Sequence, residues 1–374
     1  MQNLSFSSTD ELKIFFQEKK FKKILIICGK NSFKKSGAEK IIDEISKSKK
    51  IIIYYKTTFF TEFIELTQII QAIKKYSPDL IVAIGGGSVI DYAKISNVLI
   101  DCEDIKSKII NSNYQIKKKF AHLVAIPTTA GSGAEVTSNA VIYIDGIKYS
   151  VEAKELKPDK FFLVPDLVLS ASNKIKSSAG FDAIAQALES LISKKSNSKS
   201  VLFAKKSLEI SLHNYIKFIS RPNLDNARAM CLASNLAGEA INISKTTAPH
   251  AVSYPFSSLY GISHGHAVSL TLDKFLKFNF NNINKASCNF NLKERYDIMF
   301  KLTKTANINN FIEFLNNLKK NANLESNFFN LGINIKRDYA NIISKVNSSR
   351  LSNNPVDIKT EELKNIILLW KKKI

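Results

Sequence analysis

Five apolar residues, Leu80 to Ile84, run without a break into Gly85, Gly86, Gly87 and Ser88, and a helical pattern through Asp91, Tyr92, Ala93 and Lys94 follows at once. An uninterrupted apolar run of strand length suits a strand covered on both faces, which is the situation in a parallel sheet wrapped by helices. The neighbouring sequence repeats the theme. Ile24 to Cys28, Lys50 to Tyr55 and Leu123 to Ile126 read as further strands, while Gly37 to Ser48 and Phe63 to Tyr76 read as helices. Alternation of this kind predicts an α/β domain built on a mainly parallel sheet.

From about Ser178 the pattern changes to long helical periodicities, clearest over Ala179 to Ser193, Ser198 to Ile219, Asn226 to Ile243, Ala267 to Asn279 and Thr360 to Lys372. The Lys- and Asn-rich stretch from Asn281 to Asn327 gives the weakest pattern. A chain of 374 residues exceeds what one core usually organises, and 45% apolar residues can fill two. The expected organisation is therefore an α/β domain over residues 1–165 and an all-helical domain over 166–374, with the boundary near Val164, Pro165 and Asp166.

The formal charge of +21 raises the question of a nucleic-acid partner. Only Arg221, Arg228, Arg295, Arg337 and Arg350 are arginines, the lysines are spread along the chain, and no zinc-finger, helix-turn-helix or RNA-binding signature occurs. A solvated basic surface is the expectation, and specific nucleic-acid recognition is not. Cys28, Cys102, Cys231 and Cys288 are widely spaced and read as reduced structural residues. Met1 to Asp10 is polar and no apolar run reaches membrane-spanning length, so the sequence predicts a cytoplasmic protein without a membrane partner.

Three segments carry chemistry. Gly85 to Ser88, between a buried strand and a helix, offers backbone N–H groups at a positive helix end, which suits a pyrophosphate; by itself it is equally an ordinary tight turn. Pro127 to Glu135, dense in hydroxyls and glycines, follows the next apolar strand, and ligands bind at the carboxyl ends of parallel strands. In the helical half, Asp182 and Gln186 are four apart and share a helix face. His250 and His264 flank what reads as a Pro- and Gly-containing turn, Tyr254 to Gly261, with His266 close behind. Three of the five histidines within seventeen residues point to a site, whereas His122 and His213 have no such setting.

Gly85 to Lys94, Pro127 to Glu135, Gly180 to Ala187 and His250 to Gly265 together resemble the iron-containing (group III) alcohol dehydrogenase family, whose fold is also that of dehydroquinate synthase and glycerol dehydrogenase. The resemblance spans nearly the whole chain. It implies that Gly86, Gly87, Ser88 and Asp91 face the pyrophosphate of NAD(P)H, and that Thr128, Thr129, Ser132 and Lys148 also contact the cofactor. It further implies that Asp182, His250 and His264 hold a divalent metal, Fe(II) or Zn(II), beside which hydride reaches an aldehyde carbonyl. Gln186 stands at the fourth ligand position, normally His; it is either a weak fourth donor or lies behind a three-ligand site. Tyr254 stands where many members carry a histidine near the nicotinamide. A homodimer is expected by the same analogy.

A narrower likeness, carried by Ala240 to Tyr254 with Gln186 and Gly265-His266, is to the phosphonoacetaldehyde reductase (hydroxyethylphosphonate dehydrogenase) branch. It implies an anionic aldehyde, with Lys245, Thr246 and Thr247 toward the charged end and Lys245 joining His250 and His264 as catalytic residues. From spacing alone the same residues could be a helix end and the cap of the next helix. After the first strand comes Gly29-Lys30-Asn31-Ser32, without the acidic residue that would repel a 2′-phosphate, so NADP(H) is the expected cofactor. A general alcohol dehydrogenase, a metal-degenerate nucleotide-binding protein and a polyanion-binding protein are the competing possibilities.

Overall fold

The computed structural model describes residues 7–17, 21–46 and 49–368. The polar start of the chain up to residue 6, Lys47 and Ser48 at the end of the first expected helix (Gly37 to Ser48), and the tail of the last helix beyond residue 368 lie outside these. Contacts divide the chain into two units: residues up to Ser172 with Pro222–Asn235, and Asn173–Arg221 with Leu236 onward.

The first unit runs α1 (Thr9–Gln17), β1 (Lys23–Gly29), α2 (Lys30–Lys35), α3 (Ala38–Ser46), β2 (Lys50–Lys56), α4 (Phe63–Tyr76), β3 (Leu80–Gly85), α5 (Gly87–Val98), α6 (Ile105–Ile110), β4 (His122–Pro127), β5 (Asn139–Ile144), β6 (Ile147–Glu152), β7 (Lys160–Phe161) and α7 (Pro165–Leu169). Five strands form a wholly parallel sheet in the order β2-β1-β3-β4-β7. The pleat sends alternate residues to opposite faces. Leu25, Ile27, Ile81, Ala83, Leu123 and Ala125 join one core with α4 and α5, and Ile24, Ile26, Cys28, Val82, Ile84 and Ile126 join another with α1, α2 and α3. Both faces are covered, which is why these strands are apolar throughout. The antiparallel hairpin of β5 and β6 was not anticipated; Asp145 and Gly146 turn it with positive φ, a short-range signal present in the sequence.

The second unit is helical: α8 (Asn173–Ile192), α9 (Ser198–Ser220), α10 (Leu224–Ser244), of which the part to Asn235 counts with the first unit, α11 (Ala248–Tyr260), α12 (His264–Asn281), α13 (Leu292–Thr303), α14 (Ile308–Asn321), α15 (Ile335–Ser344), α16 (Ser348–Leu351) and α17 (Thr360–Leu368). Asn281 to Asn327, weak as a pattern, is mostly helix. Asn291 and Asn307 accept from backbone N–H groups at the starts of α13 and α14, so part of the Asn content is N-caps. None of the described helices is long and apolar enough to cross a membrane, and all four cysteines are free.

One expectation fails here. Tyr254 to Gly261 is not a turn between His250 and His264, because α11 continues through Pro255 and ends only at Gly261, whose φ of 65° makes the left-handed cap. A proline inside a helix leaves the carbonyl four residues earlier without its usual donor. That carbonyl is Ala251 O, and the Asn347 N–H, from outside the helix, reaches it at 3.4 Å.

The long helices α8 and α12 pack tightly at Gly265. A Cβ built there would lie 1.9 Å from Ser178 O and 2.8 Å from the Asp182 Cβ, distances that only a displaced helix could relieve. Gly265→Ala should therefore cost about 1–3 kcal/mol, the usual range for forced overpacking, seen as a lower urea midpoint than wild type; an unchanged midpoint would show that the contact yields freely.

Candidate functional site

Two sets of polar residues, one in each unit, gather the chemistry. In the first unit β3 and β4 are neighbours, with Gly85 opposite Pro127, so the glycine segment and the Pro127–Glu135 segment leave the sheet side by side. Gly86 is the N-cap of α5 and supplies no side-chain cap; Gly86, Gly87 and Ser88 remain partly accessible. A Cβ on Gly86 would lie 3.3 Å from Thr129 Oγ1, and one on Gly87 2.8 Å from Ser132 Oγ, so the glycines let the two loops meet. The Thr128 hydroxyl is buried and has no hydrogen-bond partner among the described residues. A long α-helix start, accessible glycines and a hydroxyl awaiting a partner suit the phosphates of a dinucleotide.

Asp91 lies deeper, and Lys148, only half-buried, is near enough for its charge to act on the Asp91 carboxyl. Asp91 is buried, its Oδ2 accepts the Val141 N–H at 3.1 Å, and so it ties α5 to the β5 strand. Burial drives its pKa up to about 6, against the opposing pull of Lys94, the Val141 N–H and Lys148. Lys94, fully buried, donates to Thr137 O, Thr137 Oγ1 and Asn139 O, and burial lowers its pKa to about 8. These two charges shape the ground beneath the loops.

In the second unit α8, α11 and α12 bring Asp182, His250 and His264 together, with one ligand atom of each within 4.8 Å of the others. Asp182 Oδ1 faces both rings, 3.2 Å from His250 Nε2 and 3.8 Å from His264 Nε2. One carboxylate oxygen and two imidazole nitrogens form a donor set suited to a divalent first-row metal. Gln186 does not face the histidines with its amide nitrogen: Nε2 donates to the other carboxylate oxygen, Asp182 Oδ2, at 3.1 Å. The Tyr254 ring lies 5.7 Å from that of His264, and its buried hydroxyl hydrogen-bonds the Thr246 side chain. His266 turns away to Glu325 O at 2.8 Å.

The sequence reasoning passed over Glu189, although it lies seven residues after Asp182 on the same helix face. It is completely buried. Its Oε1 accepts from Thr247 N at 2.9 Å, Thr247 Oγ1 at 3.0 Å and His250 N at 3.4 Å, and its Oε2 pairs with His250 Nδ1. The carboxylate thus orients the ring so that Nε2 points to Asp182, the way metal-binding histidines are commonly held. Thr247 is committed to this carboxylate, which removes it from the Lys245–Thr247 group as a substrate contact. Lys245 is partly exposed in left-handed backbone with φ 60°.

Burial disfavours the charged His250 ring, but Glu189 and Asp182 outweigh it and hold its pKa up at about 9. A folded value above the ordinary ~6.5 means stabilisation that is complete below that pH and lost as pH rises through about 9. The metal-free protein should therefore melt at progressively lower temperature between these pH values, and Glu189→Gln should flatten that slope. The same substitution should weaken divalent-metal affinity by about ten- to a hundredfold in a chelator competition; undiminished affinity would remove Glu189 from the metal site.

The chain matches two family models along most of its length: iron-containing alcohol dehydrogenase over residues 5–165, and the C-terminal part of the Fe-containing alcohol dehydrogenase family over 176–369. It is 30% identical over 261 residues to the 1-propanol dehydrogenase PduQ of Citrobacter freundii, covering 69% of this chain and 67% of that one. With the 4-hydroxybutyrate dehydrogenase of Clostridium kluyveri it shares 29% over 217 residues, 57% of this chain and 58% of the relative. With the phosphonoacetaldehyde reductase of Streptomyces viridochromogenes it shares 28% over 210 residues, 54% of this chain and 53% of the relative. The chain thus spans little more than half the length of these last two. The crystal structure of sulfoacetaldehyde reductase from Bifidobacterium kashiwanohense in complex with NAD+ superposes with a TM-score of 0.85 at 25% identity, covering 99% of this chain and 96% of that one.

Proposed function

The chain belongs to the iron-containing alcohol dehydrogenase family, and from that membership we propose that it reduces a short aldehyde bearing an anionic terminus, phosphonoacetaldehyde foremost, with a nicotinamide dinucleotide as hydride donor. The observation that carries the substrate class is the bond set of Glu189. One carboxylate fixes both the turn that presents Lys245 and the ring of His250, so a cationic side chain is held at a set remove from the carbonyl site. A two-carbon aldehyde carries its charged group next to its carbonyl carbon, and Lys245 lies five residues before His250. Among the similar proteins, the names phosphonoacetaldehyde reductase, sulfoacetaldehyde reductase and 4-hydroxybutyrate dehydrogenase all specify an anionic compound, which supports the reading.

We assign the metal to Asp182 Oδ1, His250 and His264, with Gln186 behind them as the residue that pins Asp182 Oδ2. When bound, the ion would supply Lewis-acid polarisation of the aldehyde oxygen. His250 is kept in one orientation by Glu189, and the buried Tyr254 ring packs beside His264. In the first unit Gly86, Gly87, Ser88, Thr128, Thr129 and Ser132 bind the dinucleotide phosphates, and Asp91, which ties α5 to β5, and Lys148 complete the cofactor site. NADP(H) is proposed over NAD(H) because Lys30 and Asn31, not an acid, follow β1; a higher kcat/KM with NADH would reverse that choice.

A panel of phosphonoacetaldehyde, succinic semialdehyde, lactaldehyde and butyraldehyde tests the substrate. The anionic aldehydes should give the highest kcat/KM, and Lys245→Ala should lower it for them by roughly ten- to a hundredfold, as loss of a charged hydrogen bond does, while sparing butyraldehyde. A butyraldehyde preference in the wild type would make this a general alcohol dehydrogenase. His264→Ala should lose both bound metal and aldehyde-dependent cofactor oxidation.

A further inference from the structure

We propose that Asn235 is a positioning residue for the dinucleotide: through Glu135 it fixes the far end of the Pro127–Glu135 loop, on which the phosphates rest. This builds on the reading of that loop as part of the cofactor site. Residues 128–135 form neither strand nor helix, and a binding segment without regular structure is only as exact as the groups that brace it. At its start the Thr128 N–H donates to Gly85 O at 3.0 Å. Within it, Ser132 Oγ accepts the Ala134 N–H at 3.3 Å, and Gly133 turns the backbone with a φ of 59°. The first of these bonds ties the loop to β3, and the second is internal.

The far end is held from 100 positions along the chain: Asn235 Nδ2 donates to Glu135 Oε1 at 2.9 Å. Both side chains are buried, Glu135 with 2% exposure and Asn235 with none. A carboxylate in such a place needs good donors to offset the loss of water, and an amide N–H given to an ionised carboxylate is a strong bond. Asn235 closes the part of α10 that counts with the first unit, and Ala227, Cys231 and Asn235, four apart, are buried on one face. Burial and then the Glu135 charge push the Cys231 thiol up, which agrees with the carboxylate lying against this face. Only one orientation of the amide serves, because turned over its oxygen would oppose the carboxylate. As it stands, Asn235 Oδ1 is buried and meets no donor, so the bond to Glu135 is the one its side chain makes among the described residues.

Thr129 and Ser132 stand so near Gly86 and Gly87 that a single Cβ on either glycine would crowd them. A loop released at Glu135 therefore changes the spacing between the two segments that receive the phosphates. The pyrophosphate is common to NADH and NADPH, so the loss falls on both alike. The Asp182, His250 and His264 set, which belongs to the second unit, keeps its own supports.

The test is a fluorescence titration of the full-length, metal-loaded protein with NADH and with NADPH, alongside metal content and thermal midpoint. Asn235→Asp sets two carboxylates face to face and should raise Kd by about tenfold or more for each dinucleotide that the wild type binds. Asn235→Ala, which removes the donor without adding charge and serves if the aspartate variant fails to fold, should raise it about three- to tenfold. Adding Glu135→Gln to Asn235→Asp restores the bond with donor and acceptor exchanged, and should bring Kd back to within about threefold of wild type. Metal content should match wild type throughout, which a general loss of structure would not allow. Unchanged Kd in both single variants, no recovery in the paired one, or metal lost together with the dinucleotide would overturn the role of Asn235. A wild type that binds neither NADH nor NADPH would bring down the cofactor reading, and the brace with it.

Discussion

Glu189 carries a charge into a place with no exposure, and such a group costs several kcal/mol unless its lone pairs are met by donors. Here they are met by the backbone and hydroxyl of Thr247, the amide of His250 and the His250 ring. The consequence is geometric. The last residues before α11 and its first turn are locked to α8, and everything α11 presents, from His250 to Tyr254, inherits its position from that lock. Asp182, Gln186 and Glu189 recur on one face of α8, so a single helix stripe provides a ligand oxygen, the group that steadies it, and the group that aims the neighbouring imidazole. The cluster is preorganised by bonds that involve no ion.

In the first unit the equivalent constraint is the parallel register of β3 and β4. Gly85 opposite Pro127 fixes two loops at the same height, and the absence of side chains at Gly86 and Gly87 lets Thr129 and Ser132 close on them. The order β2-β1-β3-β4-β7 puts these loops beside the point where the chain changes direction across the sheet, where open parallel sheets bind ligands.

Much of this was legible beforehand because it depends on patterns that are local. Continuous apolar strands announced a sheet covered on both faces, the glycine and hydroxyl segments marked the strand ends, and Asp182 with the two histidines marked the cluster. What escaped was what depends on distant partners. Glu189 looked like any polar residue on a helix, since the donors that justify its burial lie about sixty residues away. Pro255 suggested a turn because local rules charge proline with a lost hydrogen bond, and the remedy comes from Asn347, ninety-two positions on. The role of Thr247 was misjudged for the same reason: its hydroxyl is claimed by a helix that spacing alone does not bring near. The β5 and β6 hairpin was different, a local signal at Asp145 and Gly146 that went unweighed.

Pro255 brings no donor of its own, yet it decides what the neighbouring chain can do. By withholding one donor it turns Ala251 O from an internal rung into an external socket, and the segment from Asn347 to Asn353 plugs into it. Any other residue at 255 would bring its own N–H, fill the socket from within, and make the attachment of Asn347 redundant. Positions 255 and 347 are thus coupled by a single acceptor. A substitution at one of them would be felt at the other through one carbonyl, with no contact between the two side chains required.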